Sequence, residues 1–345
     1  MPQSRLRLRV PTSTLALVGL LLVTASWGST FFMLRGVVSR MPAADFLAVR
    51  FVVAALAVWV LAPRAMRGLS RQDVGRAVVL GVVYGIAQLL QTIGLATTSA
   101  SVSGFLTGLY VVLTPLLAAL LLRVRLGRVV WTAVALATAG LAVLSLQGFA
   151  IGGGEALTLL GALFYALHVV GLGVWSRNGN ALGLTVVQLL VISAVCLIGA
   201  APGGITLPTT GGDWVVLVYM ALVAGAIALL VQTWAQAQVS STRAAITMTM
   251  EPVWAATFAV LFGGESLGLR ALLGGALVLT AMYVVELGSA TVPAGEPAGQ
   301  PDLVPPSDEV AQAGWDAVPA AALDGETSAI GGPRQDRRVP ATSGC

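Results

Sequence analysis

The feature that most constrains this chain is a nearly unbroken series of apolar segments, which runs from about Leu15 to Leu287. A helix needs about 20 apolar residues to cross the hydrocarbon core of a bilayer. By that measure we expect ten spans, at residues 13–34, 46–62, 74–96, 100–122, 129–147, 156–175, 182–201, 214–236, 244–263 and 268–287. The connections between them are short, so they leave no room for a soluble domain before residue 292.

The composition points the same way. Hydrophobic residues make up 57% of the chain and charged residues only 10%, whereas soluble domains carry about 25% charged residues. The sequence therefore predicts an all-α integral membrane protein with ten transmembrane helices, surrounded by membrane lipid.

The positive charge indicates an orientation in the membrane. All 19 basic residues are arginine. They precede the first predicted span and follow the second and fourth, as Arg5, Arg7, Arg9, Arg64, Arg67, Arg71, Arg76, Arg123, Arg125 and Arg128. Cytoplasmic loops collect arginine, so we expect both termini to be cytoplasmic, in a plasma membrane of the bacterial inner-membrane type. By this interpretation Arg35, Arg40 and Arg50 lie at the first outer loop and weaken the bias there.

The two ends of the chain differ from its apolar middle. Residues 1–12 are basic, and a secretory signal peptide is the alternative interpretation, although the apolar run that follows is longer than the usual 7 to 15 residues. Residues 292–345 carry eight of the 15 acidic residues among proline, alanine and glycine. Such a composition predicts a disordered cytoplasmic tail, with a regulatory or partner-binding role as the alternative.

The apolar region contains an internal repeat, with matching segments about 137 residues apart. Residues 113–118 match residues 250–255, Trp27-Gly28 resembles Tyr165-Ala166, and Ser39-Arg40 resembles Ser176-Arg177. Each half then holds five spans, and an odd number forces the second half to enter the membrane in the opposite orientation. We therefore expect two inverted five-helix repeats, a fold in which solute usually binds near the midplane, between the halves.

At these residues the chain resembles the EamA family of the drug/metabolite transporter superfamily. The resemblance rests on residues 25–31, Thr98-Ser99-Ala100-Ser101, residues 105–110, Glu251-Pro252-Val253-Trp254 and Gly264-Glu265-Ser266-Leu267. It implies one such repeat at residues 13–147 and another at 156–287, in a carrier of small organic solutes that is often an exporter. The implied cavity is lined chiefly by spans 1, 3, 4, 6, 8 and 9. The first half departs from the pattern, with Thr114 in the place of Glu251 and residues 123–125 in the place of the Gly-Glu turn.

Polar side chains at membrane depth usually face a bundle interior or an aqueous cavity. Helical spacing draws one polar stripe along span 4 and a second along span 9, formed by Ser103, Thr107, Tyr110 and Thr114 and by Arg243, Thr247 and Glu251. The repeat offset pairs Tyr110 with Thr247 and Thr114 with Glu251. We expect the two stripes to face each other across a central cavity.

Two ionisable residues are candidates for proton coupling. Glu251 is the one carboxylate well inside a predicted span, and burial there disfavours its charged form. The alternative is structural, since a glutamate before Pro252 can bond to backbone groups that a proline leaves free. His168, the one histidine, suits proton exchange or a hydrogen bond to a solute, with a histidine hydrogen-bonded between helices as the alternative.

Neutral amides and aromatic rings complete the candidate solute site. Amides both donate and accept hydrogen bonds, which suits zwitterionic or carboxylate-bearing solutes, and aromatic rings stack on planar or cationic ones. The candidates are Trp27, Thr30, Gln88, Gln91, Thr107, Tyr110, Thr114, Tyr165, His168, Gln232, Trp234, Gln236 and Thr247. Helix packing is the alternative role for each. With no arginine placed deep in a span, a strongly anionic solute is disfavoured.

The residues also exclude other classes of protein. One histidine without an adjacent carboxylate pair gives an enzyme no acid/base cluster, and two cysteines, Cys196 and Cys345, indicate neither a disulfide nor a metal site. We expect no cofactor, no metal and no nucleic-acid partner. The prediction is a secondary transporter that exports a metabolite, amino acid or drug, with protons as the candidate coupling ion. An importer or exchanger of amino or organic acids is the alternative, a receptor or scaffold is the remote one, and monomer or homodimer stays open.

Glycine spacing predicts close helix packing. Gly81 and Gly85 in span 3, and Gly104 and Gly108 in span 4, are each four residues apart. This GxxxG spacing permits the close approach of spans 3 and 4.

Overall fold

A computed structural model describes residues 11–122, 126–147, 150–176, 180–239 and 247–289. Predictions about the basic N-terminus before residue 11, about residues 123–125, about Arg243 and about the tail at 292–345 lie outside the described residues.

The described chain is almost entirely helical. Its helices are α1 (Thr12–Val38), α2 (Ala43–Leu61), α3 (Arg71–Leu95), α4 (Ala100–Gly108), α5 (Tyr110–Leu122), α6 (Arg128–Ser145), α7 (Gly153–Trp175), α8 (Ala181–Ala200), α9 (Gly211–Ala221), α10 (Ala228–Gln236), α11 (Met250–Leu261) and α12 (Leu269–Ser289). A π-helical segment, Leu222–Ile227, joins α9 to α10, and Ala201–Gly203 is a 3₁₀ turn. Two short strands, β1 (Leu146–Gln147) and β2 (Ala150–Ile151), pair antiparallel between α6 and α7.

These helices correspond to the ten predicted spans. The fourth span is α4 with α5, which are interrupted only at Leu109, and the eighth is α9, the π-helical segment and α10. Seven helices in the described residues are long and apolar enough to cross a membrane. Three shorter apolar helices, Arg128–Leu144, Met250–Leu261 and Leu269–Val284, belong to the fifth, ninth and tenth spans. The predicted start of the ninth span, at residue 244, lies outside the described residues.

Polar residues in the connections fix where several helices begin. Ser70 and Asp73 form a capping box at the start of α3, in which the Asp73 amide donates to Ser70 Oγ at 3.1 Å. Ser99 Oγ accepts from the Val102 amide at 3.2 Å and starts α4. These contacts satisfy amides that a helix cannot pair internally.

Packing interleaves the two halves of the chain. The most extensive helix contacts join α3 to α7 and α8, α2 to α8, α6 to α12, and α11 to α1 and α4. Every one of these pairs takes one helix from α1–α6 and the other from α7–α12. The two repeats therefore share one core, and residues from both reach the centre of the bundle.

The glycine pairs make close approaches to helices of the other half. Cβ atoms placed on Gly81 and Gly85 would meet Val191 and Val195 of α8 at 2.7 and 3.0 Å. Gly108, together with Gly104, instead lies against α11. The GxxxG motif of span 3 thus packs on span 7, and that of span 4 packs on span 9. The interpretation that these motifs bring spans 3 and 4 close to each other is wrong.

Ala255 of α11 lies at the tightest of these crossings. A Cβ on Gly104 would be 2.5 Å from Ala255 Cβ, and one on Gly28 of α1 would be 2.8 Å from the Ala255 nitrogen and 2.5 Å from Trp254 Cβ. Real Cβ atoms essentially never approach so closely. The absence of side chains on Gly28 and Gly104 therefore sets how near α1 and α4 lie to α11.

We predict that Gly104→Ala destabilises the protein by about 1–3 kcal/mol, because the new methyl group overlaps Ala255 Cβ. Adding Ala255→Gly should restore much of the loss, since the next nearest atoms to that methyl lie at 3.9 Å. Thermal unfolding of the purified protein measures both effects. Gly173→Ala, whose methyl meets nothing within 4 Å, is the matched control. A double variant that is less stable than Gly104→Ala alone would contradict this packing.

Candidate functional site

A cavity lies at the centre of the bundle. Ten residues that the sequence predicts for the site line it, namely Trp27, Thr30, Gln88, Gln91, Thr107, Tyr110, Tyr165, His168, Gln232 and Glu251. Six further residues complete the lining, namely Phe31, Leu34, Arg50, Tyr84, Val169 and Met248. They come from spans 1, 2, 3, 4, 6, 8 and 9, so both halves contribute.

A chain of hydrogen bonds crosses one wall of the cavity. Arg50 Nη1 donates to Gln88 Oε1 at 3.4 Å, and Gln88 Nε2 donates to the Tyr165 hydroxyl at 2.7 Å. That hydroxyl donates to Gln91 Oε1 at 2.7 Å, and Gln91 Nε2 donates to Thr107 Oγ1 at 2.9 Å. Every bond in the chain points away from Arg50. The chain links spans 2, 3, 4 and 6 and fixes the orientation of both amides.

Tyr110 and Glu251 form a second polar contact, between the two halves. The Tyr110 hydroxyl donates to Glu251 Oε2 at 3.2 Å, and Glu251 is only 5% exposed. Tyr110 begins α5 directly after the interruption at Leu109, and Glu251 lies in the first turn of α11. The expected meeting of spans 4 and 9 at a central cavity is therefore present.

The structure corrects the placement of Arg50. It lies within α2, seven residues after the helix begins at Ala43, and is 3% exposed. Its Nε donates to the Met220 carbonyl at 3.1 Å, and its guanidinium carbon lies 4.8 Å from the centre of the Phe51 ring. Its assignment to the first outer loop is wrong, and so is the statement that no arginine lies deep in a span.

The π-helical segment of span 8 is held by two lining residues. The indole N–H of Trp27 donates to the Ala224 carbonyl within the segment at 2.9 Å, and Arg50 bonds to Met220, two residues before it. π-helical turns interrupt the usual backbone pairing and are frequent at functional sites. Trp27 therefore lines the cavity with its N–H already bonded.

His168 reaches both the cavity and the helix behind it. Its ring lies edge-on to Tyr84, with 4.9 Å between the ring centres, and Nε2 is 2.9 Å from Gln188 Oε1 in α8. It is 1% exposed. The contact with Gln188 provides the interhelical hydrogen bond that the sequence left as the alternative, while the ring still lines the cavity.

Four predicted residues are not among those that line the cavity. Thr114 Oγ1 donates to the Tyr110 carbonyl in its own helix at 2.7 Å, and Trp234 packs beside the buried Ala16 and Leu20. Gln236 and Thr247 are also absent from the lining. Helical spacing identified their helices correctly but did not decide which face each residue occupies.

Sequence reasoning missed Arg50 and Tyr84, and the sequence does contain a signal for Tyr84. Tyr84, Gln88 and Gln91 follow helical spacing along α3 and all line the cavity. Arg50 lies inside the predicted second span, 46–62, so the span itself was the signal that places it within the membrane.

Ionic contacts connect helix ends at one end of the bundle. Arg35 Nη1 lies 2.7 Å from Glu265 Oε1, which also accepts from the Ala100 amide at 2.7 Å. Glu265 Oε2 accepts from the Ser101 amide at 3.1 Å and from its hydroxyl at 2.6 Å. Partial burial raises the pKa of Glu265, but these hydrogen bonds and the Arg35 charge outweigh that effect and lower its pKa overall.

The same end carries a second ion pair and a helix-to-loop contact. Arg40, just after α1, pairs with Asp213 in the first turn of α9. Asp45, in the first turn of α2, accepts from the Thr206 amide at 3.0 Å. We call the set formed by Arg35, Glu265, Arg40 and Asp213 the ionic latch; both of its ion pairs join the first half to the second.

Comparison with known proteins identifies the family. The profile of the EamA-like transporter family matches the chain twice, at residues 14–146 and at residues 152–287. The chain belongs to this family. An uncharacterized transporter of Archaeoglobus fulgidus is 30% identical over 276 residues, which cover 78% of this chain and 85% of that protein. A solved crystal structure with a TM-score of 0.59 and 16% identity covers 81% of this chain and 98% of its own, and so supports the fold.

Family membership confirms several predictions. As an EamA-like protein of the drug/metabolite transporter superfamily, the chain is a multi-pass membrane transporter of a small-molecule solute and not an enzyme. The expected all-α membrane fold, built from two related repeats, is likewise confirmed.

We predict that Tyr165→Phe destabilises this EamA-like transporter by about 1–3 kcal/mol, because Gln88 loses its acceptor and Gln91 its donor in a buried site. Thermal unfolding of the purified protein measures the change. Tyr283→Phe is the matched control, since the Tyr283 side chain is exposed and contacts only Met250 Sδ, at 3.7 Å. Equal losses in the two variants would contradict the buried chain.

A second prediction concerns pH. Because the pKa of Glu265 is lowered in the folded protein, its contribution to stability is present above the usual pKa of 4.5 and is lost as the pH falls through the folded value. The difference in melting temperature between wild type and Glu265→Gln should therefore be constant near neutral pH and shrink below pH 4.5. Arg35→Gln should cost less, since the Arg35 side chain is 44% exposed. A difference that grew on acidification would contradict the ionic latch.

Proposed function

We propose that this protein exports a small polar organic solute across the plasma membrane by alternating access, with the central cavity as the solute site. The cavity is lined by both repeats, so a movement of one repeat against the other would change which side of the membrane it faces.

The contact between Tyr110 and Glu251 is the observation that carries this proposal. Glu251 is buried at the junction of the halves, and no arginine among the described residues lies within 4.0 Å of it. A buried carboxylate without a cationic partner is expensive to maintain. It can be neutralised by a proton or by a cationic group of the solute, and competition between the two would couple their movements.

The proposed coupling follows from that competition. A proton that reaches Glu251 from outside displaces the solute there, and release of the proton inside prepares Glu251 for the next solute molecule. One proton then enters for each solute molecule that leaves. The ionic latch fits alternating access, since both of its ion pairs join the halves at one end of the bundle and would have to separate when that end opens.

The arginines support cytoplasmic termini. Arg64, Arg67 and Arg71 are exposed between α2 and α3, as positively charged cytoplasmic loops would be. At the opposite end, Arg35 and Arg40 are paired with Glu265 and Asp213. Arg64, Arg67 and Arg71 outnumber these two, which is the bias that cytoplasmic termini predict.

We predict that Glu251→Gln abolishes proton-driven accumulation and retains solute exchange, because glutamine keeps the hydrogen-bonding shape of the site but cannot exchange a proton. Metabolite profiles of cells and medium are compared for strains that express wild type, Glu251→Gln, Glu155→Gln or an empty vector, at equal membrane abundance. Glu155 is the matched control because it lies in the first turn of α7 and does not line the cavity. Membrane vesicles loaded with the solute found in this way are then tested with and without a pH gradient.

A solute enriched in the medium with wild type and with Glu155→Gln, but not with the empty vector, would fix the direction as export. Depletion of a supplied amino or organic acid from the medium would replace export with import. Unchanged proton-driven accumulation in Glu251→Gln vesicles would remove Glu251 from the coupling mechanism.

A further inference from the structure

Arg50 is a buried cation without an acidic partner. It is 3% exposed, and no carboxylate of the described residues lies within 4.0 Å of its guanidinium. Its Nε bonds to the Met220 carbonyl and its Nη1 to Gln88 Oε1. The remaining N–H groups of the guanidinium have no acceptor among the described residues.

A charge in this position needs a counter-ion. Removal of a guanidinium from water costs several kcal/mol, and neutral acceptors recover only part of that cost. Because Arg50 lines the cavity, a negatively charged group that enters the cavity can reach it. One cation matches one negative charge, and the planar guanidinium fork fits a carboxylate.

The neighbouring amides offer donors rather than acceptors. The oxygen of Gln88 is occupied by Arg50 and that of Gln91 by the Tyr165 hydroxyl. Each amide nitrogen uses one N–H within the chain, towards Tyr165 and Thr107 respectively. Gln88 also donates to the Tyr84 hydroxyl, whereas the second N–H of Gln91 stays available. Together with the unused N–H groups of Arg50, it makes this wall of the cavity favour a ligand that accepts hydrogen bonds.

Spare acceptors lie on other helices that line the cavity. Gln232 of α10 is 2% exposed, and its Oε1 is buried with no hydrogen-bond partner among the described residues. Glu251 of α11 accepts only from Tyr110 in the described structure. The cavity is therefore polarised, with donors around Arg50 and acceptors at Gln232 and Glu251.

Building on the transport function proposed above, we propose that the transported solute carries a carboxylate, which Arg50 binds together with the spare amide N–H group of Gln91. Gln232 and Glu251 accept hydrogen bonds from the other end of the same solute. Arg50 is then a specificity-determining residue. This replaces the expectation that an anionic solute is disfavoured, because that expectation placed Arg50 outside the membrane.

Three substitutions separate this role from a purely structural one. Arg50→Gln removes the charge, and Arg50→Lys keeps it. Gln88→Glu places a carboxylate where an amide oxygen now lies 3.4 Å from Arg50 Nη1. That variant supplies Arg50 with an internal counter-ion, so it should raise the melting temperature and yet exclude carboxylate solutes. If Arg50 only held helices together, Gln88→Glu would not combine a higher melting temperature with the loss of carboxylate binding.

The test measures thermal stabilisation of the purified full-length protein by matched probes. The probes are straight-chain monocarboxylates of three to eight carbons, the common amino acids and the primary amide of each, with sodium chloride at equal ionic strength. We expect carboxylates to stabilise wild type and their amides not to do so. We expect Arg50→Gln and Gln88→Glu to bind carboxylates about 10- to 100-fold more weakly, and Arg50→Lys to bind them better than Arg50→Gln.

Three results would overturn the proposal: no carboxylate stabilises wild type, amides or chloride stabilise it equally, or Arg50→Gln keeps the preference for carboxylates. The efflux profile of the wild-type strain tests the transport function separately. Export of a solute that lacks a carboxylate would leave that function standing and remove this inference. A profile in which no solute is exported would remove the proposed export, whatever the binding results.

Discussion

The structure depends on the close contact of α11 with α1 and α4. Gly28 and Gly104 leave room for Ala255, and this approach brings Glu251, one turn earlier in α11, to the Tyr110 hydroxyl. If either helix moved outwards, the hydrogen bond across the halves would be lost and a carboxylate in the membrane interior would lose its donor. The close packing of these small residues is therefore what places Tyr110 and Glu251 within hydrogen-bonding distance.

Much of this arrangement could be predicted from the sequence. The ten spans follow from segment length, and the duplication placed Tyr110 and Glu251 on helices that meet. Segment length and duplication are strong signals because polar groups exposed to lipid are costly. Few arrangements of apolar and polar residues avoid that cost. The partners of the glycine pairs were less accessible, because GxxxG spacing indicates a close contact without saying which helix makes it. Arg50 was assigned to the first outer loop although it lies inside the predicted second span, 46–62, and α2 places it within the bundle.

The faces of individual helices were the least predictable feature. Thr114 follows the helical spacing of Thr107 and Tyr110, yet it bonds to its own helix. Trp234 was predicted as a stacking ring, yet it packs beside Ala16. Span 4 is interrupted at Leu109, between Thr107 and Tyr110. An ideal helical period, applied through such a break, gains or loses a fraction of a turn. Tyr110, directly beyond this break, still lines the cavity, whereas Thr114, one turn further along the same helix, does not.

Span 8 is interrupted by a π-helical segment, and this interruption sets the orientation of the helix that follows it. A π-helical turn holds about one residue more than an α-helical turn, and each α-helical residue turns the helix by about 100°. Loss of one residue within Leu222–Ile227 would turn α10 by about that angle relative to α9 and carry Gln232 away from the cavity. What looks like one superfluous residue in an apolar sequence therefore sets the register of the second half of this helix. A sequence alignment that omitted this extra residue would hide its effect on the orientation of α10.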